Sequence, residues 1–395
     1  MLSSNKFSYS LQQISNLLLY LGLSLLTISD SGIQLLILTT IGPNSRILRL
    51  IALWLLLVKI LLTKYSKKEF FILAPIAGLA FYNYHVSGNI YCVYAIAVIA
   101  SMKDVYYETI FKILFYSTLG TIIFMTILSL LGIGSPIQLT QDFGRGIVET
   151  RYCFGLFHPN IWHQAIARCI AFGCIGYYKK LNMIHLSILF VFNYYIYILS
   201  VSRTGLLVIW IFLILIIFYK YLPKLMHILF VKFCAIFCML GVYAIYIYYA
   251  LRIHADKYDY PGMMFNWKVT NGRIRQALDF LVDHPIKPFS SRFPDDGTLF
   301  DCGFFRIFFE CGYLWAGLFF LALFALIIIA MKKNWDIIIP VCVYFVFCSL
   351  YEFDPVTRPT YNIVAFFLPL LIFSSTAGSF NKFILSSQRK GNQAP

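Results

Sequence analysis

The sequence predicts an all-α, polytopic membrane protein with about 12 transmembrane helices and a large outer loop. Sixty per cent of the 395 residues are apolar, only 12% are charged, and the mean hydropathy is +0.76. A soluble domain carries about twice this charged fraction. Apolar stretches of roughly 20 residues, the length that a helix needs to cross a bilayer, recur along the whole chain. We therefore expect a single integral membrane domain covering residues 1–395.

The predicted spans follow one another closely along the chain. They cover residues 11–28, 46–63, 70–84, 89–101, 110–133, 160–178, 184–200, 204–220, 226–250, 304–330, 335–351 and 360–377. Two longer connections, at about 134–159 and about 251–303, are predicted to be outer loops. The segment Gly32–Ile41 is too short to span a bilayer and is expected at the outer interface. The first span has no small-residue cleavage site, so we expect it to remain as a helix.

Lysine and arginine are sorted to opposite ends of the predicted helices. With the N-terminus inside, the inner connections contain Lys64, Lys67, Lys68, Lys103, Lys179, Lys180, Lys220, Lys224, Lys332 and Lys333. All of the arginines but Arg389 lie on or toward the other face. Lysine excess marks the cytoplasmic side of a membrane protein. Because the planar guanidinium binds phosphates and carboxylates through two parallel hydrogen bonds, the arginine-rich outer face is predicted to bind an anionic ligand.

The remaining composition argues against several kinds of site. The ten cysteines lie mostly within apolar segments, where free thiols pack well, so we expect neither disulfides nor metal ligands. His158 and His163 have no neighbouring carboxylate that would complete a metal site. The net charge of +15 comes mainly from the inner connections, and no long basic tail for nucleic acid is present. No internal repeat is evident, which argues against the common transporter folds.

Two arginines beside or within apolar segments are candidate ligand-binding residues. Arg203 occurs in Ser202-Arg203-Thr204-Gly205 between two predicted spans, and no Asp or Glu occurs between Glu149 and Asp256. Its counter-ion must therefore come from a distant segment or from a ligand, unless Arg203 simply extends its charge to the membrane interface. Arg168 lies within a predicted span, where a charge is costly and usually faces a cavity or a partner.

The shorter outer loop ends in a segment that contains two further candidates. Arg151 and His158 are expected to face a shared cavity, in which they would contact the ligand. Asn160 is expected to cap the helix that follows, because a short polar side chain can accept hydrogen bonds from the first free N–H groups of a helix.

The longer outer loop is predicted to contain an amphipathic helix. Thr270-Asn271-Gly272 precedes this helix and His284-Pro285 ends it; its apolar positions are Ile274, Ala277, Leu278, Leu281 and Val282. Arg275 has Asp279 four residues on, so a surface ion pair explains it. Arg273 has no acidic residue at helical spacing and is the better candidate for binding a phosphate, since the helix N-terminus adds partial positive charge.

Two residues are candidates for a general base. Asp301 directly precedes a predicted span, and its structural alternative is to cap a helix beginning near Phe304. His284 is the second candidate, although a helix-ending His-Pro explains it equally well. Arg306 and Glu310 are spaced as an i,i+4 pair and are expected to neutralise each other.

Four local features resemble the O-antigen polymerase and ligase superfamily of bacterial envelope enzymes, and most closely its Wzy-type polymerases. In matching order they are Gly155-Leu156-Phe157-His158-Pro159-Asn160, Ser202-Arg203-Thr204-Gly205-Leu206-Leu207, Asn271-Gly272-Arg273, and Asp301 with Gly312. The Ser-Arg-x-Gly segment is the most specific of them. The likeness in topology covers the whole chain, whereas the likeness in motifs covers only these segments.

This resemblance implies a metal-independent glycosyltransferase without a cofactor, acting at the outer face of the bacterial inner membrane. Its donor would be an oligosaccharide linked to undecaprenyl diphosphate, held by Arg203 and Arg273 with help from Arg151 and Arg168. Ligases of the superfamily place a histidine where this chain has Asp301, so the resemblance favours a polymerase of O-antigen, capsule or exopolysaccharide. Partners would be membrane lipid, a flippase and a chain-length regulator. The alternatives are a ligase that delivers glycan to lipid A core or protein, and a flippase for lipid-linked sugars.

Overall fold

The computed structural model describes residues 2–30, 47–143, 146–292, 300–352 and 358–391, and these residues are mostly helical. The helices are α1 (Leu2–Ile28), α2 (Ile47–Leu61), α3 (Lys67–Ser87), α4 (Tyr91–Ser101), α5 (Tyr107–Leu130), α6 (Pro159–Gly176), α7 (Met183–Ser200), α8 (Arg203–Tyr221), α9 (Pro223–Met226), α10 (Leu229–Ala255), α11 (Tyr260–Lys268), α12 (Arg273–Asp283), α13 (Gly303–Lys333), α14 (Ile338–Tyr351), α15 (Pro369–Ile372) and α16 (Ser374–Gly391). Strands β1 (Gln138–Asp142) and β2 (Val148–Tyr152) precede α6, and 3-10 turns lie at Tyr178–Lys180 and Ile363–Phe366.

Several of these helices have the length and composition of membrane spans. Seven described helices pass this criterion, namely α1, α3, α5, α7, α8, α10 and α13. The segments Ile363–Ile372 and Ser374–Ile384 pass it together but are bent by 118°, and α4 and α14 are apolar but shorter. These helices are consistent with a multi-pass membrane protein. The predicted number of about 12 spans is not confirmed, and the segment Gly32–Ile41 lies outside the described residues.

The chain divides into two compact units, each assembled from segments that are distant in sequence. Unit 1 comprises Met1–Tyr65, Ala100–Ile217 and Phe373–Pro395, and unit 2 comprises Ser66–Ile99 and Phe218–Ile372. The candidate residues Arg151, His158, Arg168 and Arg203 belong to unit 1. Arg273, His284 and Asp301 belong to unit 2.

In unit 1, α5 and α6 pack side by side and run in opposite directions. At one end, Lys179 Nζ lies 3.4 Å from Glu108 Oε2. At the other end, Gly155 lies so close to α5 that an added Cβ would be 2.5 Å from the carbonyl oxygen of Met125. This close approach, together with a φ of 82° at Gly155, requires glycine in the turn that leads into α6. The lysine-bearing end of unit 1 is therefore opposite the end at which α6 begins.

An antiparallel hairpin interrupts the helical pattern of unit 1. β1 and β2 pair from Gln138 opposite Tyr152 to Asp142 opposite Val148, and the hydroxyls of Thr140 and Thr150 lie 2.8 Å apart across the pair. This region is predicted to be a loop, and its two strands are not predicted from the sequence. A two-stranded ribbon is marginal alone, so its packing against α7 is part of what holds it.

In unit 2, α10 and α13 are antiparallel, which separates their charged ends. Lys232, in the first turn of α10, donates to Met331 O and to Asn334 Oδ1, each at 2.7 Å, at the lysine-bearing end of α13. At the opposite end of the same helices, Tyr246 packs with Cys302 and Phe304 in one buried cluster. Lys332 and Lys333 thus lie at the end of α13 opposite the segment that connects it to α10.

The predicted amphipathic helix of the longer loop is present as α12 and packs on unit 2. Ile274 and Ala277 are fully buried in the cluster that includes Tyr246 and Phe300. The prediction that the preceding Thr270-Asn271-Gly272 segment caps its N-terminus is wrong, because the N-cap residue is Gly272 and no side-chain capping bond is made. Instead Asn266 Oδ1 accepts a hydrogen bond from the Arg275 N–H at 3.1 Å, across nine residues. Helix α11 was not predicted, and neither was the continuation of α10 to Ala255.

Helix α13 is broken at Gly312. This residue has φ 78° and ψ 156°, and an added Cβ would lie 2.5 Å from the Pro288 carbonyl oxygen, so only glycine fits. Tyr313 and Leu314 donate their N–H groups to Lys287 O at 3.1 Å and Pro288 O at 3.2 Å. The freed carbonyls on the other side of the break accept from side-chain amides: Asn83 bonds Cys311 O at 2.9 Å and Asn89 bonds Glu310 O at 3.1 Å. A break in an apolar helix is tolerated when protein groups satisfy its backbone in this way.

The topology inferred from the lysines can be tested by cysteine labelling. With Cys234 and Cys238, the exposed cysteines among those described, replaced by serine, a cysteine at Tyr258 should react with a membrane-impermeant reagent added outside intact cells. Tyr258 is 91% exposed, so its reactivity reports sidedness rather than burial. A cysteine at Lys332 should react only after the membrane is opened. The reverse pattern would invert the orientation on which the outer-face assignment depends.

Candidate functional site

The Ser202–Gly205 turn is joined to helices α6 and α7 by a buried network around His163. His163 is fully buried, with Nε2 2.9 Å from Asn193 Oδ1 and Nδ1 2.8 Å from Ser200 Oγ. Because an amide oxygen only accepts, Nε2 carries the proton, and in the neutral ring Nδ1 accepts from the Ser200 hydroxyl. Ser200 Oγ in turn accepts from the Ser202 N–H at 3.3 Å. Every step in this chain of bonds has a donor and an acceptor.

The same network fixes the first turn of α8. Asn193 Nδ2 donates to the Leu206 carbonyl oxygen at 3.1 Å, while Asn193 Oδ1 accepts from His163. The His163 ring also lies flat against Gly205, where an added Cβ would be 2.5 Å from Cδ2 and 2.6 Å from Cγ. Buried polar networks that are fully satisfied hold one local geometry. The glycine of the Ser-Arg-x-Gly segment is therefore required by the histidine that packs on it.

Substitution of Gly205 by alanine should displace the His163 ring and loosen the turn. Overpacking of this kind costs about 1–3 kcal/mol, which we expect to see as a lower Tm of the purified protein in detergent. The matched control is Gly120→Ala in α5, since a Cβ added there meets nothing within 4 Å. That control should be neutral or slightly stabilising, because alanine is the better helix former. Equal Tm values for the two variants would contradict the packing argument.

Arg203 is presented by this turn at the N-terminus of α8. Helix α7 ends at Ser200, Val201 adopts φ 52° as its left-handed cap, and Arg203 is the first residue of α8. Arg203 is exposed and makes no hydrogen bond or ion pair with any residue that the structure describes. The free N–H groups of the helix add partial positive charge at the same place. Arg203 therefore remains a candidate cation for binding a ligand.

Arg151, on β2, is buried and already paired. It is 3% exposed, and Nε and Nη2 lie 2.8 Å and 2.7 Å from Glu149 Oε2. Its guanidinium lies over the Phe143 ring, 4.1 Å from the centroid. Glu149 is two residues away, so on a strand both side chains share one face. With its charge balanced by Glu149, Arg151 is a weaker candidate for ligand binding than Arg203.

His158, rather than Asn160, caps helix α6. His158 is the N-cap of α6, and its Nδ1 accepts from the Asn160 N–H at 3.2 Å. The prediction that Asn160 caps this helix is therefore wrong, because the imidazole supplies the acceptor two residues earlier. The His158 ring meets Phe143 edge to face at 5.6 Å. Since Arg151 also contacts Phe143, the structure brings Arg151 and His158 together around this ring.

Arg168 lies deep in α6, as predicted from its position in the sequence. It is 4% exposed and has buried neighbours on both sides in the chain, Ala167 and Cys169. A cation at this depth is costly unless polar groups surround it, so Arg168 acts within the protein rather than at an open surface.

In unit 2, Arg273 has an acidic partner that helical spacing does not reveal. Its Nη2 lies 3.6 Å from Glu352 Oε1, a residue that is 8% exposed and follows α14. Arg273 was predicted to be unpaired because no acidic residue stands at helical spacing from it, and this is wrong because its partner comes from a distant segment of the chain. The pair is loose, and Arg273 Nε is buried without a hydrogen-bond partner among the described residues. Asn271 and Gly272 both have positive φ, which turns the chain so that Arg273 can begin α12.

Asp301 lies close to Arg273 but is not a helix cap. The N-cap of α13 is Cys302, which makes no side-chain capping bond, so the capping alternative for Asp301 is wrong. Asp301 is exposed and forms no hydrogen bond with the residues described, whereas its neighbours Phe300 and Cys302 are fully buried. Ile274 and Cys302, the residues that follow Arg273 and Asp301 in the chain, pack in the same buried cluster. The structure thus brings Arg273, Glu352 and the Asp301–Cys302 segment together.

His284 ends α12 and lines a cavity. The cavity has a volume of about 570 Å³, and its wall includes His284, Lys287 and Phe309. His284 Nδ1 lies 3.2 Å from the Phe280 carbonyl oxygen, and the two rings stack at 4.6 Å. Because a carbonyl only accepts, Nδ1 donates, and in the neutral ring Nε2 keeps its lone pair. His284 could therefore accept a proton or a hydrogen bond at Nε2.

The two ion pairs predicted from i,i+4 spacing are both present. Arg275 Nε lies 3.0 Å from Asp279 Oδ2 on the exposed side of α12. Arg306 Nε bonds Glu310 Oε1 within the buried half of α13, and Arg306 Nη1 donates to Phe300 O at 3.3 Å. In each pair the carboxylate balances the charge of the arginine four residues before it. Neither pair therefore leaves a free cation or base.

Several residues that build these sites are not predicted from the sequence. They are Asn193, Ser200 and Glu352, together with Asn83 and Ser290 beside the break in α13. Asn193 and Asn83 stand alone as amides within apolar segments, where an unpaired amide is costly, and that rarity was a usable signal. Glu352 is one of few carboxylates near a span and carried the same signal.

No family model, curated protein or solved structure matches this chain. The geometry by itself offers an exposed cation at a helix N-terminus in unit 1. In unit 2 it offers a carboxylate beside a loosely paired arginine, and a histidine in a cavity lined by polar and apolar groups. Among the described residues, no cluster of three or more His, Cys, Asp or Glu side chains is placed to hold a metal ion. Each unit thus offers a cation suited to binding an anion, and unit 2 also offers two groups that can accept a proton.

Proposed function

We propose that this chain is a polysaccharide polymerase that uses a lipid diphosphate donor. It would move a growing glycan from undecaprenyl diphosphate to a hydroxyl of a new lipid-linked repeat unit, at the outer face of the bacterial inner membrane. The proposal depends mainly on the environment of Arg203. A satisfied buried network holds its turn, yet the guanidinium itself is exposed and has no counter-ion among the described residues. Such a cation at a helix N-terminus is suited to an anionic ligand such as a diphosphate.

In the proposed reaction the acceptor hydroxyl attacks the anomeric carbon of the donor. The new bond joins the acceptor oxygen to that carbon, while the bond from the carbon to the diphosphate oxygen breaks and its electron pair leaves on undecaprenyl diphosphate. Arg203 would stabilise the charge that develops on the leaving group, and Arg273 is a second candidate for this role. Asp301 would take the proton from the acceptor hydroxyl. A single attack from the opposite side inverts the anomeric centre.

The surroundings of Asp301 in unit 2 support its proposed role as the base. Its carboxylate is exposed, is not engaged in capping α13 and lies near Arg273, whose contact with Glu352 is long enough to be exchanged for a stronger one. A diphosphate would compete well with a single carboxylate at 3.6 Å, because it offers the guanidinium a bidentate partner.

The proposal is tested with purified protein in liposomes. Lipid-linked single repeat units, isolated from a strain that lacks this gene, serve as both donor and acceptor. Wild-type protein should convert them into a ladder of longer glycans on the lipid, with release of undecaprenyl diphosphate. A single product on added lipid A core or protein, with no ladder, would instead identify a ligase. If neither product formed, glycosyl transfer would be rejected.

A second candidate function rests on the break in α13. Helices that are interrupted within the membrane and carry buried charges often line transport pathways, and Gly312 lies two residues from the Arg306–Glu310 pair. A flippase for lipid-linked sugars would have this feature. Movement of a fluorescent lipid-linked sugar between leaflets, without change in its glycan length, would favour transport over polymerisation.

A further inference from the structure

The cavity at the end of α12 has the composition of a saccharide-binding site. Its wall is formed by Val86, Ser87, Gly88, Asp283, His284, Pro285, Lys287, Ser290, Ser291, Arg292 and Phe309. These residues provide hydroxyls, a carboxylate, cations and an aromatic face. At about 570 Å³ the cavity lies within the range of about 300–1,000 Å³ that is typical of small-molecule sites. All of its lining residues belong to unit 2.

The wall of this cavity is held rigidly. Ser290 is 2% exposed; its N–H donates to Asn83 Oδ1 at 3.2 Å and its hydroxyl lies 2.8 Å from Ser87 Oγ. Ser291 N–H donates to Phe309 O at 3.1 Å. On the far side of the Gly312 break, two N–H groups of α13 bond the 287–288 backbone. The break in α13 therefore has a structural consequence, which is to fix the 287–291 segment before any ligand arrives.

Two contacts with Phe280 fix the direction in which the His284 ring can accept a hydrogen bond. Its Nδ1–H is used by Phe280 O at 3.2 Å, and stacking on the Phe280 ring fixes the plane of the imidazole. Nε2 makes no hydrogen bond with the described residues, and the side chain lines the cavity. The neutral ring thus offers one acceptor with a defined direction, the kind of group that receives a hydrogen bond from a sugar hydroxyl.

The position of the cavity separates it from the diphosphate-binding role assigned to Arg273. Arg273 and His284 lie at opposite ends of α12, about 16 Å apart at 1.5 Å per residue. Their side chains therefore extend from opposite ends of the helix. Asp301, the proposed base, adjoins Cys302, which packs with Ile274 at the Arg273 end of α12, and it is not among the residues that line the cavity.

We infer that this cavity binds a sugar of the lipid-linked repeat unit at a distance from the reacting bond, with His284 Nε2 accepting a hydrogen bond from a hydroxyl. This inference rests on the proposed polymerase function and adds a glycan subsite to it. His284 then contributes to affinity for the glycan rather than to proton transfer. A ligand of this class, with hydroxyls on apolar rings, also accounts for a cavity in which cations, a carboxylate and apolar surface occur together.

Binding measurements with two lipids separate this role from the alternatives. Microscale thermophoresis in detergent would compare the lipid-linked single repeat unit with undecaprenyl diphosphate that carries no sugar. His284→Ala should weaken binding of the repeat unit by about 3- to 10-fold, the loss expected for one hydrogen bond, and leave binding of the sugar-free lipid unchanged. His284→Gln should stay within about 2-fold of wild type, because the amide oxygen can accept the same bond.

Two further variants test whether the loss of binding is specific to the cavity. Lys287→Ala removes a second side chain from the cavity, keeps the backbone carbonyl that bonds α13, and should also weaken binding of the repeat unit alone. His254→Ala removes an exposed histidine of the same unit and should bind both lipids as wild type does.

Three outcomes would overturn the inference. If His284→Ala bound the repeat unit normally, the cavity would not be a glycan subsite. If it lost affinity for both lipids, the cavity would bind the diphosphate. If His284→Gln bound normally but formed no polymer, His284 would be the base. Failure of wild-type protein to bind the repeat unit at all would instead reject the proposed function, together with the subsite that depends on it.

Discussion

Replacement of Arg203 by lysine is expected to slow polymer formation by roughly 30- to 1,000-fold. Lysine keeps the positive charge but loses the planar fork that holds a phosphate through two hydrogen bonds. Removal of one charged contact to a leaving group costs about 2–4 kcal/mol in the transition state. Because Arg203 is exposed and bonds no described residue, the substitution should leave the fold intact. The rate is read from the glycan ladder formed in liposomes, and the fold from the Tm.

Arg275→Ala is the matched control for this experiment. Arg275 is also an arginine in the first turn of a helix, but Asp279 already balances its charge at 3.0 Å. Exposed pairs of this type contribute only about 0.2–0.5 kcal/mol, so polymer formation should change little. If Arg275→Ala abolished polymer while Arg203→Ala left it normal, the assignment of Arg203 to the diphosphate would be wrong.

Replacement of Asp301 by asparagine should abolish polymer formation. Asparagine has the same shape but cannot accept a proton from the acceptor hydroxyl. Since Asp301 neither caps α13 nor bonds the described part of the chain, Asp301→Asn protein should fold normally. It should also still bind the lipid-linked donor, because the groups proposed to hold the diphosphate are unchanged. Donor binding and glycan ladders measured on one preparation would separate these effects.

The comparison with His284 identifies the base. If His284 serves the glycan subsite, His284→Gln should keep its maximal rate at saturating donor, whereas Asp301→Asn should form no polymer at any donor concentration. Full polymer from Asp301→Asn and none from His284→Gln would transfer the role of base to the histidine. Asp279→Asn is a suitable control, because it changes an exposed carboxylate on α12 that is paired with Arg275.

Features that depend on neighbours in the chain were predictable from the sequence. The helical class, the amphipathic helix α12, its end at His284, and the pairs Arg275–Asp279 and Arg306–Glu310 all follow from apolar periodicity or i,i+4 spacing. Arg203 was identifiable for a related reason. The chain has no carboxylate for about fifty residues on either side of it, so no local pairing could explain its charge.

Features that depend on contacts between distant segments required the tertiary structure. The sequence places Arg273 beside Gln276 and Ala277, whereas the fold places it beside Glu352. It shows His163 as an isolated histidine, whereas α6, α7 and α8 together surround the ring with Asn193, Ser200 and Gly205. The break at Gly312 likewise depends on backbone and amide groups from the 287–288 and 83–89 segments.

The physical reason for this division is the range of each interaction. Helix propensity, capping and i,i+4 pairing act within a few residues, so the order of amino acids alone determines them. Which buried polar group meets which partner is decided by packing, since an amide or a charge withdrawn from water must find its partner wherever the fold brings one. By itself the sequence therefore determined a helical, apolar chain with an arginine that lacks a local partner. The tertiary structure alone decided which cations are already neutralised, which histidine is structural, and where a cavity remains for a ligand.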